Sequence, residues 1–114
     1  MPSPFVTNWQ TQARKGLLEL AILNALGQGR MYGYEIAKTL RRIPALVVVE
    51  GTIYPIMSRL EKEGLLTSTL EASPEGPARK YYRLSREGVA VLKRINSLWD
   101  ELSSGVAALR SGSE

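Results

Sequence analysis

Residues 51–84 read GTIYPIMSRLEKEGLLTSTLEASPEGPARKYYRL. Ile53, Ile56, Met57 and Leu60 recur at the spacing of one buried helix face. Thr52 is a good N-cap, and Pro55 falls in the first turn, where a missing N–H costs little. Gly64 is a natural C′ residue. Residues 66–71 and 80–84 then read as paired strands, joined across the loop-forming residues 72–78. A helix that runs directly into a long-tipped hairpin is the decisive signature, and the rest of the chain is read around it.

Upstream, residues 34–42 predict a helix with Ile36, Ala37 and Leu40 on its core stripe. Pro44 ends it, because the residue before a proline avoids the α region. The β-branched run at 46–49 reads as a brief strand. Residues 9–26 predict the first helix. Its Leu17, Leu18, Leu20, Ala21, Ile22, Leu23, Ala25 and Leu26 cover nearly the whole circumference. Burial on all sides in so short a chain calls for a second subunit. Pro2 and Pro4 make residues 1–8 a flexible, irregular arm. Downstream, Ser85 caps a last helix over 85–110, and residues 111–114 form a loose tail. The predicted fold is mostly α with a small β-hairpin. Residues 9–84 make a winged helix-turn-helix, a three-helix core with a β-hairpin wing, and 85–110 a long C-terminal dimerisation helix.

Composition narrows the function. The 114 residues are 44% apolar and 23% charged, the mix of one globular domain. No apolar run approaches a membrane span, so no membrane partner is expected. The N-terminus lacks a secretory signal, which implies a cytoplasmic protein. The chain has no Cys and no His. That removes disulfides, ordinary zinc sites, Ser-His and Cys-His nucleophile pairs and His-based acid–base work. No catalytic set, metal site or cofactor is expected.

The net charge is +4, from 15 basic and 11 acidic residues. It is unevenly spread: residues 79–94 alone carry six basic groups and one acidic group, a net +5. A local basic patch on a near-neutral scaffold suits a polyanion. In a helix-turn-helix the second helix of the pair enters the DNA major groove by its N-terminal part. Here that helix presents Tyr54, Ser58, Arg59 and Lys62 away from its core stripe, after Thr52 at its start. The alternative for this face is plain solvation, with Glu61 and Glu63 balancing the charge. The wing adds Arg79, Lys80, Arg83 and Arg86, interleaved with Tyr81 and Tyr82. Cations there can neutralise phosphates on the same duplex. Lys80 has polar satisfaction within the wing as its other role, and strand packing is the reading for one of the two tyrosines. The alternative function is a winged-helix protein-interaction module that never touches nucleic acid.

The last helix carries a second signal. Leu92, Ile95, Trp99, Leu102, Val106 and Leu109 are spaced 3, 4, 3, 4, 3, an a/d heptad seam. At 1.5 Å per residue the helix runs about 39 Å, longer than a compact globule of this size is wide. A homodimer, with this seam against residues 9–26 of its partner, is the reading. The alternative is a helix folded back on its own domain.

Five pieces in order then point to one family: Tyr32-Gly33-Tyr34-Glu35-Ile36, Gly51-Thr52-Ile53-Tyr54-Pro55, Arg59-Leu60-Glu61-Lys62-Glu63-Gly64-Leu65-Leu66, Arg79-Lys80-Tyr81-Tyr82-Arg83-Leu84-Ser85, and Gly88. Together, across residues 32–88, they resemble the PadR family of bacterial transcriptional regulators. The single C-terminal helix resembles the family's short subgroup. The chain departs from the family pattern at residues 43–50. The resemblance implies a dimeric winged-helix repressor on a near-palindromic double-stranded DNA operator, released by a small aromatic or drug-like effector. By matching position, Tyr54, Ser58, Arg59, Lys62, Arg79 and Lys80 are its DNA-contacting residues. It also implies a ligand role for Trp99, where two indoles across a two-fold axis would sandwich a planar aromatic molecule. Asp100 and Glu101 beside it would attract cationic compounds. Plain seam packing is the alternative for Trp99.

Overall fold

A computed structural model describes residues 3–112. The order is α1 (Pro4–Gly27), β1 (Met31–Tyr32), α2 (Gly33–Leu40), a 3-10 turn (Pro44–Leu46), α3 (Glu50–Lys62), β2 (Leu66–Glu71), β3 (Arg79–Leu84) and α4 (Arg86–Arg110). The winged helix-turn-helix with a long last helix is therefore present.

Helix α1 corrects the expected arm. Ser3 is extended and Pro4 occupies the first helical position, where its fixed φ suits the helix and its missing N–H would have had no partner. Residues 4–8 are helical, while Met1 and Pro2 lie outside the described residues. The crowded apolar stretch of α1 is also satisfied differently from the expectation. Leu20, Ile22, Leu23, Ala25 and Leu26 are buried within their own chain, against α2, β3 and α4. The uncovered part of α1 is its first half, where Phe5 and Trp9 are exposed.

Helix α2 starts at Gly33, and the Glu35 carboxylate accepts from the Tyr32 N–H at 3.1 Å. Residues 46–49 form no strand. Pro44 opens a 3-10 turn, Leu46 is driven into the core, and Val47 takes a left-handed conformation at φ 50°. That geometry breaks an extended run and costs a β-branched residue about 1–3 kcal/mol. The sheet gains a strand that periodicity did not reveal, β1, in the order β1-β3-β2. Met31 pairs with Tyr82 and Tyr32 with Tyr81, while β2 and β3 pair from Leu66 with Leu84 to Glu71 with Arg79. Tyr82 is the packing tyrosine of the pair, 4% exposed, and Tyr81 faces the other way.

In α3, Ile53, Met57 and Leu60 are buried. The helix begins at Glu50 with Val49 as N-cap, so Thr52 is its third residue; the Thr52 hydroxyl donates back to the Val49 carbonyl at 2.7 Å. Pro55 consequently sits in the second turn, inside the helix. At the C-terminus, Gly64 at φ 81° lets its own N–H reach the Glu61 carbonyl and the Leu65 N–H reach that of Leu60, both at 3.0 Å. This closes the helix with a Schellman turn.

Ser85 joins that turn to α4. Its hydroxyl donates to the Gly64 carbonyl at 2.6 Å and accepts from the Gly88 N–H at 2.9 Å. Gly88 is obligatory: a Cβ there would lie 2.1 Å from the Leu65 carbonyl oxygen. Farther along, Leu92 is buried and Ile95 packs on the core. Asn96 and Asn24 of α1 exchange two side-chain amide hydrogen bonds, 3.0 and 2.9 Å. Beyond this point α4 leaves the core. The radius of gyration is 16.3 Å, against about 13 Å for a compact chain of this length.

Candidate nucleic-acid interface

The exposed face of α3 and the wing adjoin. Glu61 bridges them: one carboxylate oxygen accepts from the Ser68 hydroxyl of β2, and the other lies 3.4 Å from Lys80 Nζ of β3. Ser58, Arg59 and Lys62 lie along the same face of α3, with Pro55 and Glu61, and line one shallow depression. Arg59 and Lys62 share that depression and Lys80 reaches its Glu61, whereas Arg79 and Arg83 project from the other face of β3, Arg79 over Tyr32 and Arg83 beside Leu26 and Gly27 of α1; several of these cations have partners that the sequence did not reveal. Arg59 pairs with Glu19 of α1 and lies 3.5 Å from Glu63. The hydrogen bond to Glu19, and then its charge, raise the Arg59 pKa above the usual arginine value. Lys80 is raised as well, first through the neighbouring Tyr82 phenol and then through Glu61.

Tyr54 is held twice. Its ring lies across Gly33, where a Cβ would come within 2.3 Å of the ring. Its hydroxyl donates to Glu50 at 2.7 Å. That hydrogen bond, then burial and the Glu50 charge, push its pKa up to about 12. Thr52 is exposed at the start of the same face. On the wing, the Arg79 guanidinium sits 4.5 Å above the Tyr32 ring and Arg30 sits 4.2 Å above the Tyr81 ring. Tyr32 and Tyr81 meet edge to face at 5.3 Å. Arg30 also pairs with Glu71. Among the described residues, Lys62, Arg83 and Arg86 are exposed with no acidic group in ion-pair distance.

Trp99 belongs to a different place. It lines a cleft of about 510 Å³ between α1, the 3-10 turn and α4, with Leu17, Leu20, Ile43, Asn24 and Asn96 among its neighbours. Asp100 and Glu101 are exposed and do not line this cleft, whose one charged lining group is Arg42. In the single chain the acidic pair therefore lies outside this cleft. The heptad row also divides. Leu92 and Ile95 are spent on the chain's own core, whereas Trp99, Leu102, Val106 and Leu109 are 42%, 64%, 58% and 77% exposed.

Residues 22–94 match the model of the transcriptional regulator PadR-like family. The chain belongs to that family. A PadR-like transcriptional regulator from Bacillus cereus, of known structure, is 40% identical over 86% of this chain and 95% of its own, with a TM-score of 0.77. A PadR family regulator from Eggerthella lenta is 34% identical, with a TM-score of 0.79, over 92% of this chain and 91% of its own. A transcriptional regulator of Mycobacterium tuberculosis is 31% identical over 82% of this chain and 85% of its own length. Membership of the PadR-like family makes the chain a transcriptional regulator and not an enzyme. No helix among the described residues is long and apolar enough to cross a membrane.

Proposed function

We propose that this PadR-like regulator is a homodimeric repressor that binds a near-palindromic double-stranded operator through α3 and the wing. The observation that carries the reading is the adjacency of the α3 face with Lys80 of β3, joined through Glu61. A helix and a basic hairpin side by side can address one groove and its flanking phosphates together. Tyr54, Ser58 and Arg59 read the operator, while Lys62, Arg79 and Lys80 hold its backbone. In a two-fold dimer the two α3 helices address half-sites about one helical turn apart. Fluorescence anisotropy with a random duplex tests this. Binding falls steeply as salt rises, and Lys80→Ala flattens the log–log salt slope by about one unit. An unchanged slope and affinity in Lys80→Ala would remove the wing from the interface. No duplex binding even at low salt would make the chain a protein-interaction module instead.

The Trp99 cleft supports an effector site for a planar aromatic compound, since it is mainly apolar and carries one flat indole. Ligand there would release DNA by favouring one spacing of the two α3 helices over another. Quenching of tryptophan fluorescence by planar aromatic compounds, lost in Trp99→Ala while Trp9 still reports, is the expected result. Quenching that persists in a dimeric Trp99→Ala protein would place the ligand elsewhere.

A further inference from the structure

Arg59 and Lys80, both DNA contacts in the proposed function, are already paired inside the chain: Lys80 with Glu61 of α3, and Arg59 with Glu19 of α1 and, more loosely, with Glu63 of its own helix. Glu19 stands on α1 between Leu18 and Leu20, and with Glu35 it supplies all the acidic groups of residues 1–49. It reaches Arg59 from 40 positions away in sequence. Glu61 is fixed by the Ser68 hydroxyl on one oxygen, which leaves the other for Lys80. All four side chains are partly exposed, from 31% to 51%, so a phosphate can reach each cation and compete.

We propose that Glu19 and Glu61 are affinity-setting residues, internal counterions that DNA must displace before Arg59 and Lys80 can contact it. This rests on the DNA-binding reading of the same surface. Lys62, exposed on the same face of α3 with no acidic group in ion-pair distance among the described residues, needs no such exchange and supplies an unconditional grip on any duplex. Arg59 and Lys80 add to it only where the exchange of carboxylate for an acceptor on the DNA, a base edge or a phosphate, is favourable. Discrimination by a competing internal contact is a way to weaken wrong partners without strengthening the right one. Exposed ion pairs are weak, so each carboxylate is expected to hold random-duplex affinity down by about two- to five-fold.

The test is a double-mutant cycle on the full-length chain with a random duplex, read over a salt series. Glu19→Gln keeps shape and removes charge. It is expected to tighten binding about two- to five-fold and to steepen the salt slope by up to about one unit. In an Arg59→Ala background the same change is expected to do nothing. Equal tightening in both backgrounds would mean that Glu19 acts only through the general field, and would overturn the proposal. So would unchanged or weaker binding in Glu19→Gln alone. Should Glu19→Gln lose cooperative melting, Glu61→Gln with and without Lys80→Ala runs the same cycle: tightening that needs Lys80 supports the proposal, and tightening that does not overturns it. Wild-type protein that fails to bind duplex at low salt would sink the DNA-binding reading itself, before any variant is compared.

Discussion

At the wing end of the molecule, Arg30, Arg59, Arg79 and Lys80 each meet a carboxylate or an aromatic ring of their own chain. At the free ends of α1 and α4, Phe5, Trp9, Leu102 and Leu109 are each at least 60% exposed. One region already gives four of its cations a partner within a single chain, and the other is hydrophobically incomplete. A side chain left in water at the first region costs little, because charged groups are well solvated. At the second, each uncovered large apolar side chain forgoes about 1.5–3 kcal/mol. The two regions therefore ask for different things: exchange of partners at the wing, and a second copy of the chain at the helix ends.

The largest effect that would sharpen this contrast is at Leu102. Sedimentation equilibrium at micromolar concentration should give twice the 12.6 kDa chain mass for wild type. Leu102→Glu, which puts a charge into an apolar seam, should shift it to the single-chain mass, weakening association by at least about 100-fold. A folded wild-type monomer would break the comparison, because the exposed rows would then need no cover.

A smaller effect is expected where the two regions join. Gly88→Ala forces a Cβ against the Leu65 carbonyl, at the hinge between the α3 turn and α4. Urea unfolding should show a loss of about 1–3 kcal/mol, read as a lower midpoint with an unchanged slope. An unchanged midpoint would mean that the joint yields without cost.

The smallest effect lies wholly on the wing side. Tyr54 has its pKa raised from 10.0 to about 12, chiefly by its hydrogen bond to Glu50. A raised phenol contributes stability that is full below pH 10 and is lost as pH climbs toward 12. Ultraviolet titration of the folded protein should show a late phenolate that is absent from Tyr54→Phe. Glu50→Gln should bring that titration earlier.

Local signals make much of this legible from sequence. The α3 stripe, the Gly64 turn, the two hairpin strands and the Ser85 cap each lie within a few residues of the groups they organise. Sequence misleads where one residue type serves two geometries. Pro4 has the character of a helix breaker and is a helix starter. Thr52 has the chemistry of an N-cap and stands at the third helical position, because the helix takes in Glu50 and Gly51 before it. Strand β1 has two residues, too few for any period, and exists because β3 offers it an edge. At the surface, Arg59 and Lys80 are marked by their type and position. Glu19 is not, because a pair 40 residues apart leaves no local spacing to read. Gly33 is legible as a motif residue, but its reason, the Tyr54 ring lying on it, exists only in three dimensions.

The reciprocal amide pair between Asn24 and Asn96 has a consequence for how this protein responds to its surroundings. It is a polar joint between the last helix and α1, and it carries no net charge and no titratable proton. Ionic strength and mild acid or alkali, which strip a basic surface from a polyanion, leave such a joint unaltered. Salt that weakens the proposed grip on DNA is therefore expected to leave this joint between α1 and α4 in place.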